Sequence, residues 1–328
     1  MKKLVVKILI LLVIVFLGQI IVGRYIVPSI SFLTFGMSGI GKLDTYLYQN
    51  DKFPTLYFGD SVIKSFDDND IDKSSIASML ESELSSGGIG DMSSPSYHLG
   101  MFEAMMKHIH MSPNKPKAII IPINLRSFAP LWDKQPEYEF KNEIFFLTHN
   151  KLVFYFGKPI NIWHAISFAP KSEKDFHTTP IMYNGVELGT VGSYIQDLEN
   201  KKPLDYMIKE SYQFFYLYNL KDNHPKLNSL RTIMNLAKQD SIKLYVYIVP
   251  IDYQDGVKYV GKDLGMQISK NADVVCGVLK EGGIPCLNLA KALPSEDFAH
   301  PGLPNEHLKE SGRRSVSAAL SKFIGSTK

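Results

Sequence analysis

The sequence predicts an α/β fold, a three-layer sandwich in which helices cover both faces of a mostly parallel sheet. Short apolar runs alternate with amphipathic stretches along residues 54–127 and again along residues 225–328, as in chains that alternate strands with helices. The strongest run, Ala118–Ile123, is apolar at every position, which is typical of a strand buried on both faces. Apolar residues make up 45% of the 328-residue chain, enough for a substantial core.

Each element is predicted from its own pattern. Strands are expected where β-favouring apolar runs end at Gly, Pro or polar residues, and helices where apolar residues recur every three or four positions. The predicted strands cover residues 55–58, 88–92, 118–123, 243–249 and 284–289. The predicted helices cover residues 71–84, 98–110 and 263–280, a stretch that begins at Pro225, and a last helix whose apolar positions are Val316, Ala319, Leu320, Phe323 and Ile324.

Residues 4–22 form an apolar run that only Lys7 and Gln19 interrupt. A membrane-spanning helix needs roughly 17–25 such residues, and lysines precede this run, which favours a cytoplasmic N-terminus. We therefore predict a single-pass signal anchor at residues 1–23, a stalk at residues 24–53, and an extracytoplasmic domain at residues 54–328. The alternative is a cleaved signal peptide, although no good cleavage site follows the run.

Composition excludes several classes of protein and of site. The 36 basic residues nearly balance the 33 acidic ones, giving a net charge of +3, which argues against a nucleic-acid partner. The two cysteines, Cys276 and Cys286, exclude a disulfide-dense scaffold and a four-cysteine zinc site. Outside the cytoplasm they could form a disulfide or remain buried thiols, and the sequence leaves both open. We expect no metal and no cofactor.

The alternation of strands and helices fails between Phe128 and His224. This stretch holds 20 of the 38 aromatic residues and both tryptophans, Trp132 and Trp163. We interpret residues 128–224 as an insertion in the α/β domain at one edge of the site. Its aromatic side chains would either stack on sugars or acyl chains, or form a small core of the insertion itself.

Polar residues follow three of the predicted strands, and the ends of parallel strands are where such sheets bind ligands. These residues are Gly59, Asp60 and Ser61 after the first strand, Asn124 after the third and Asp252 after the fourth. Ser61 is a candidate nucleophile, and Asp60 and Asp252 are assigned to substrate binding, although a turn residue is the favoured alternative for Asp252. A serine needs a base to take its proton and a carboxylate to orient that base. The run from Asp297 to Leu308 supplies both, with His300 and His307 as candidate bases.

These residues give the chain its resemblance to the SGNH/GDSL hydrolase superfamily. The first sequence block of that family is matched by Phe58-Gly59-Asp60-Ser61, and the third only by Asn124. The second block, a glycine, falls near Asp91–Ser96, where no glycine stands. The resemblance covers residues 54–127 and 225–328 and implies a flavodoxin-like sheet.

The fifth block of the family can be aligned in two ways. Asp297 and His300 have the aspartate–histidine spacing of the family, whereas His307 has its register with the last helix. The second alignment matches more positions and favours His307 as the base, with Pro304 standing where the aspartate belongs. Asp297 would then orient His307 from across the loop, or else the carboxylate is Glu306 or is missing.

The resemblance implies acyl transfer through a serine ester. The imidazole would deprotonate Ser61, and the amide of Ser61, a backbone amide near Ser94 and the side chain of Asn124 would stabilise the oxyanion. The anchored arrangement resembles proteins that esterify envelope polymers, such as the lipoteichoic-acid D-alanylation and alginate acetylation proteins, which work beside a membrane O-acyltransferase. The expected partners are a cell-surface glycan or acyl donor, such an acyltransferase, and the lipid bilayer through residues 4–22. The alternatives are a non-catalytic glycan-binding or scaffold module and a tethered lipase or thioesterase.

Overall fold

The computed structural model describes residues 2–21, 35–84, 87–149, 176–299 and 306–326. The strands of this part are β1 (Thr55–Gly59), β2 (Ile89–Ser93), β3 (Ala118–Ile123), β4 (Pro180–Tyr183), β5 (Val186–Thr190), β6 (Lys243–Ile248) and β7 (Cys286–Asn288). Its α-helices are α1 (Lys2–Ile21), α2 (Gly39–Tyr48), α3 (Ile76–Leu84), α4 (Leu99–Met111), α5 (Pro130–Asp133), α6 (Lys141–Thr148), α7 (Val191–Glu199), α8 (Leu204–Tyr216), α9 (Pro225–Gln239), α10 (Tyr253–Val260), α11 (Asp263–Glu281) and α12 (Glu310–Ser326).

Five strands form the central sheet, in the order β2-β1-β3-β6-β7, and every neighbouring pair is parallel. This is the flavodoxin-like strand order. Alternate residues of each strand enter two different cores. Phe58 belongs to the core that contains residues of α2, α4, α9 and α11, while Tyr57 belongs to the core that contains residues of α3 and α12. The predicted α/β fold with a mostly parallel sheet is confirmed, and its two apolar faces explain why β3 lacks polar positions.

The segment before α3 departs from the prediction. A helix was expected from residue 71, but α3 begins at Ile76. The backbone carbonyls of Asp72 and Ser74 accept hydrogen bonds from the buried guanidinium of Arg313 on α12, at 2.5 and 3.0 Å. These long-range bonds hold the segment in an irregular conformation, and the side chain of Ile71 is 98% exposed instead of contributing to a helix face.

The N-terminal segments also depart from the prediction. Helix α1 carries Lys2, Lys3 and Lys7 in its first two turns. Within the described ranges, no helix combines the length and the apolar character needed to cross a lipid bilayer, so the transmembrane helix predicted for residues 1–23 is not supported. Of the expected stalk, residues 24–34 lie outside the described residues, whereas α2 buries Ile40, Leu43 and Leu47 in the core of the domain. Residues 39–48 are therefore part of the domain body.

The insertion contributes no strand to the central sheet in its described residues. Its strands β4 and β5 form a separate antiparallel pair, and helices α7 and α8 follow them. Six buried apolar residues form a core of their own there: Phe176, Ile181, Val191, Tyr194, Met207 and Phe214. Three of its members are aromatic, Phe176, Tyr194 and Phe214, whereas other buried aromatic residues of the insertion belong to the main core of the domain: Phe128, Phe146, Tyr212, Tyr216 and Tyr218. Trp163 lies outside the described residues.

A disulfide joins Cys276 on α11 to Cys286 on the edge strand β7, which settles the alternative that the sequence left open. Replacing both cysteines by serine should lower the free energy of unfolding by about 2–3 kcal/mol, because a short covalent loop no longer restricts the unfolded chain. Urea unfolding of the oxidised protein and of the double variant measures this difference. Reduced wild-type protein is the control and should resemble the variant, while equal unfolding midpoints in all three samples would contradict the prediction.

Candidate active site

The candidate nucleophile stands at the carboxyl end of β1. The strand ends at Gly59, and a 3₁₀ turn, Ser61–Ile63, begins directly after Asp60. The turn is closed by Asp60, whose Oδ1 accepts a hydrogen bond from the amide of Val62 at 2.9 Å. Position 59 must be glycine, since a Cβ there would lie 2.3 Å from Cγ1 of Ile63. The chain therefore folds back tightly and leaves Ser61 at the edge of the sheet.

The side chain of His307 meets this serine. Its Nε2 lies 3.1 Å from Oγ of Ser61, although the two residues are 246 positions apart in the sequence. His307 precedes α12 in a short antiparallel contact, in which Phe298 pairs with Leu308 and the amide of Ala299 donates to the carbonyl of His307 at 2.8 Å. A serine hydroxyl within hydrogen-bond reach of an imidazole is the arrangement of an activated nucleophile. The rival base, His300, lies outside the described residues.

The acids considered as orienting groups for His307 have other partners. Oδ1 of Asp297 accepts a hydrogen bond from the hydroxyl of Ser311 at 2.5 Å. The carboxylate of Glu306 receives Nε and Nη2 of Arg126 at 3.0 and 2.7 Å. The described hydrogen bonds of Asp297 and Glu306 are thus made to Ser311 and Arg126, and the orienting role for His307 stays a prediction.

Two of the three predicted oxyanion donors are engaged elsewhere. The amide of Ser94 donates to the carbonyl of Gly59 at 3.1 Å, in continuation of the pairing between β1 and β2, so it does not face the site. Nδ2 of Asn124 donates to Oδ2 of Asp60 at 3.0 Å, which occupies one of its two N–H bonds. The amide of Ser94 itself is therefore not such a donor, while the Ser61 amide and the second N–H of Asn124 stay as predicted donors.

Asp60 supports the nucleophile turn and is buried, which argues against its predicted contact with substrate. Burial raises the pKa of its carboxyl to about 6, and the charge of Glu306 adds to this, although the hydrogen bonds from Asn124 and Val62 act in the opposite direction. The carboxylate is therefore costly to ionise in the folded protein, and its two bonded oxygens hold the turn at Ser61.

This raised pKa predicts a pH-dependent stability. Because the folded pKa of about 6 lies above the ordinary 3.8, the carboxyl stabilises the fold fully below about pH 4 and loses that contribution as the pH rises through 6. The advantage of wild type over Asp60→Asn should fall by about 2 kcal/mol between pH 4 and pH 7. Urea unfolding of both proteins from pH 4 to pH 7 measures this change in stability. A difference between the two proteins that does not depend on pH would refute the raised pKa of Asp60.

Asp252 has a structural role in place of the predicted substrate contact. It is 1% exposed and caps helix α10, since its Oδ1 accepts the amide of Asp255 at 3.2 Å and the hydroxyl of Ser295 at 2.5 Å. Burial raises the pKa of Asp252. The residue follows β6 as expected, but the cap turns its side chain into the protein.

The structure adds one site residue that the sequence interpretation missed. Arg126 lies two positions after Asn124, and its guanidinium packs over the rings of Phe215 and Trp132, at 4.7 and 5.6 Å from the ring centroids. A basic residue two positions after a polar strand end was visible in the sequence. Its partner Glu306 is 180 positions away, and no local pattern connects the two.

Comparisons with known proteins do not assign the chain to a family. No protein-family model matches the chain, and no curated protein matches it. Among solved structures, a protein from Lactobacillus plantarum is similar at 10% identity and a TM-score of 0.38, over 83% of this chain and 96% of that one. The native aryl esterase of M. smegmatis is similar at 10% identity and a TM-score of 0.35, over 83% of this chain and 98% of that one. Both scores are low, so the function is inferred from the geometry of the site alone.

Proposed function

We propose that this protein is a serine esterase or O-acyltransferase that works through an acyl-enzyme on Ser61. The observation that carries the proposal is the 3.1 Å contact between Oγ of Ser61 and Nε2 of His307 at the carboxyl edge of a parallel sheet. A hydroxyl is a weak nucleophile unless an adjacent base accepts its proton, and this contact supplies that base.

The steps follow from the two groups. His307 takes the proton of Ser61 while Oγ attacks the carbonyl carbon of an ester, and the resulting oxyanion is stabilised by nearby N–H groups. The tetrahedral species collapses, the ester C–O bond breaks, and the leaving alcohol receives the proton from the imidazole. Water or a sugar hydroxyl then attacks the acyl-serine, again with His307 as base, and Ser61 is released.

We extend this proposal to an extracytoplasmic site of action on a cell-surface polysaccharide, beside a membrane O-acyltransferase. The disulfide between Cys276 and Cys286 supports an oxidising compartment, since stable disulfides are rare in the cytosol. The large apolar side chains Val6, Ile8–Val15 and Leu17 of α1 are about half exposed, which supports the proposed contact of residues 4–22 with the lipid bilayer. Protease protection of the protein in intact cells tests this location.

A turnover panel tests the activity. Purified full-length protein is assayed with p-nitrophenyl esters from acetate to palmitate, and with an acetylated polysaccharide, with Ser61→Ala as the control. We expect turnover of the short esters, and an added sugar acceptor should accelerate acyl release if transfer dominates. Preference for the palmitate ester would favour the lipase or thioesterase.

One observation favours a second candidate, a non-catalytic glycan-binding or scaffold module. The amide of Ser94 is bonded to Gly59, and Asp297 and Glu306 are bonded to Ser311 and Arg126, so several parts of a complete hydrolase site serve other purposes. Absence of turnover on every ester, together with polysaccharide binding that Ser61→Ala leaves unchanged, would support this candidate and overturn the first.

A further inference from the structure

We propose that Arg126 and Glu306 are positioning residues, a buried ion pair that fixes the peptide carrying His307 so that the imidazole meets Ser61. The inference rests on the proposed function and deepens it, because it assigns the insertion a part in placing the base. The pair acts through the peptide bond that joins Glu306 to His307.

The ion pair is closely fitted. The guanidinium of Arg126 approaches both oxygens of the Glu306 carboxylate, Nε at 3.0 Å and Nη2 at 2.7 Å, and the two side chains are 15% and 3% exposed. Two parallel N–H···O bonds fix orientation as well as distance, which a lysine could not do. Burial alone would lower the pKa of Arg126, but the charge of Glu306 raises it above its ordinary value, so the guanidinium stays charged.

The insertion completes this arrangement. The buried hydroxyl of Tyr216, at the end of α8, donates a hydrogen bond to Oε1 of Glu306, and the rings of Phe215 and Trp132 lie against the guanidinium. Three insertion residues, Tyr216, Phe215 and Trp132, therefore contact the pair. Some aromatic residues of the insertion therefore contact the ion pair instead of packing in the insertion's own small core.

The turn after β3, which carries Arg126, also contacts the residue before the nucleophile. The amide of Arg126 donates to Oδ1 of Asn124 at 3.0 Å, and Nδ2 of Asn124 donates to Oδ2 of Asp60 at 3.0 Å. Asp60 immediately precedes Ser61, and Glu306 immediately precedes His307. The turn after β3 thus binds the residue before the nucleophile and the residue before the base, and it sets the separation of the two.

Other contacts retain the fold when the pair is removed. The carbonyl of His307 still accepts the amide of Ala299 at 2.8 Å, and the carbonyl of Leu308 still accepts Nη1 of Arg313 at 2.8 Å. Loss of the pair should therefore release only the Glu306 end of the segment. A displacement of about 1 Å at a reacting group is enough to lower a rate about 10²-fold.

The test uses the double variant Arg126→Met with Glu306→Gln, because removing one partner alone would leave a buried unpaired charge and endanger folding. We expect kcat for p-nitrophenyl acetate to fall about 10²-fold while KM and the thermal midpoint change little. The single variant Arg126→Lys keeps the charge without the fork and should lie between the double variant and wild type. The matched control is Arg231→Met with Asp222→Asn, an exposed pair on the surface, which should leave kcat unchanged.

Crystal structures of the wild type and the double variant give a readout that does not depend on turnover. We expect the distance between Oγ of Ser61 and Nε2 of His307 to exceed hydrogen-bond range in the variant, with the sheet unchanged. An unchanged distance and unchanged kcat would overturn the positioning role, and if the double variant does not fold, wild-type kinetics in Arg126→Lys would overturn it equally. A wild type without turnover refutes the proposed function, and the measured distance then still decides the positioning role.

Discussion

Replacing Ser61 by alanine is expected to lower kcat for ester hydrolysis by about 10⁴-fold or more, because the variant loses the only atom that the mechanism acylates. His307→Ala should cause a loss of similar size, since Nε2 of His307 lies 3.1 Å from the serine oxygen. Groups that act as a unit are not additive, so the double variant should be little worse than either single variant. Steady-state kinetics with a short ester measures all three.

His300→Ala is the matched control for this prediction. If His307 is the base, the His300 variant keeps kcat within a few-fold of wild type. A large loss in His300→Ala with a small loss in His307→Ala would reverse the assignment and support the other alignment of the run from Asp297 to Leu308. Full activity in Ser61→Ala would refute the mechanism itself.

Arg313→Met is expected to lower the free energy of unfolding by about 3–5 kcal/mol, because it removes one partner of a buried ion pair and leaves several acceptors without a donor. The guanidinium is fully buried on α12 and donates to Oδ2 of Asp70 at 2.8 Å and to the carbonyl of Leu308 at 2.8 Å. It also donates to carbonyls of the segment between the nucleophile turn and α3, those of Ser65, Asp72 and Ser74. One side chain therefore joins the loop after Ser61 to the segment after His307.

Urea unfolding at neutral pH measures this loss. The neighbouring Arg314 is the control, because its side chain is 56% exposed and pairs with Glu310 and Asp72 at the surface. Exposed pairs contribute about 0–1 kcal/mol, so Arg314→Met should change little. Equal effects of the two substitutions would show that burial of Arg313 does not carry the stability assigned to it.

The sheet could be predicted from the sequence because its strands are buried on both faces. Ala118–Ile123 was predicted residue by residue, and the helix beginning at Pro225 was recognised from its apolar spacing. The extent of the edge strand was predicted least accurately, because a strand was expected over residues 284–289 and β7 covers only Cys286–Asn288. Local apolar patterns predict central elements well because those elements are buried in the apolar core along their whole length.

Features that depend on distant partners could not be predicted in this way. The helix expected from residue 71 starts at Ile76 because Arg313, far along the chain, binds the carbonyls before it. The resemblance assigned a backbone amide near Ser94 to the oxyanion site, but the strand pairing continues and takes the amide of Ser94. Asp252 lies at the expected strand end, yet a local helix cap buries it. Position along the chain predicted the neighbourhood of these residues, and long-range or capping bonds determined their roles.

The pairing of Ser61 with His307 was predicted from the register of the last helix. The proposed function requires that this pair is catalytic. A fluorophosphonate probe, followed by peptide mapping with mass spectrometry, tests this most directly because such probes react with activated serines. We expect covalent labelling at Ser61 in wild type, slow labelling in His307→Ala and none in Ser61→Ala. Labelling at a different serine, or an unlabelled wild-type protein, would contradict it.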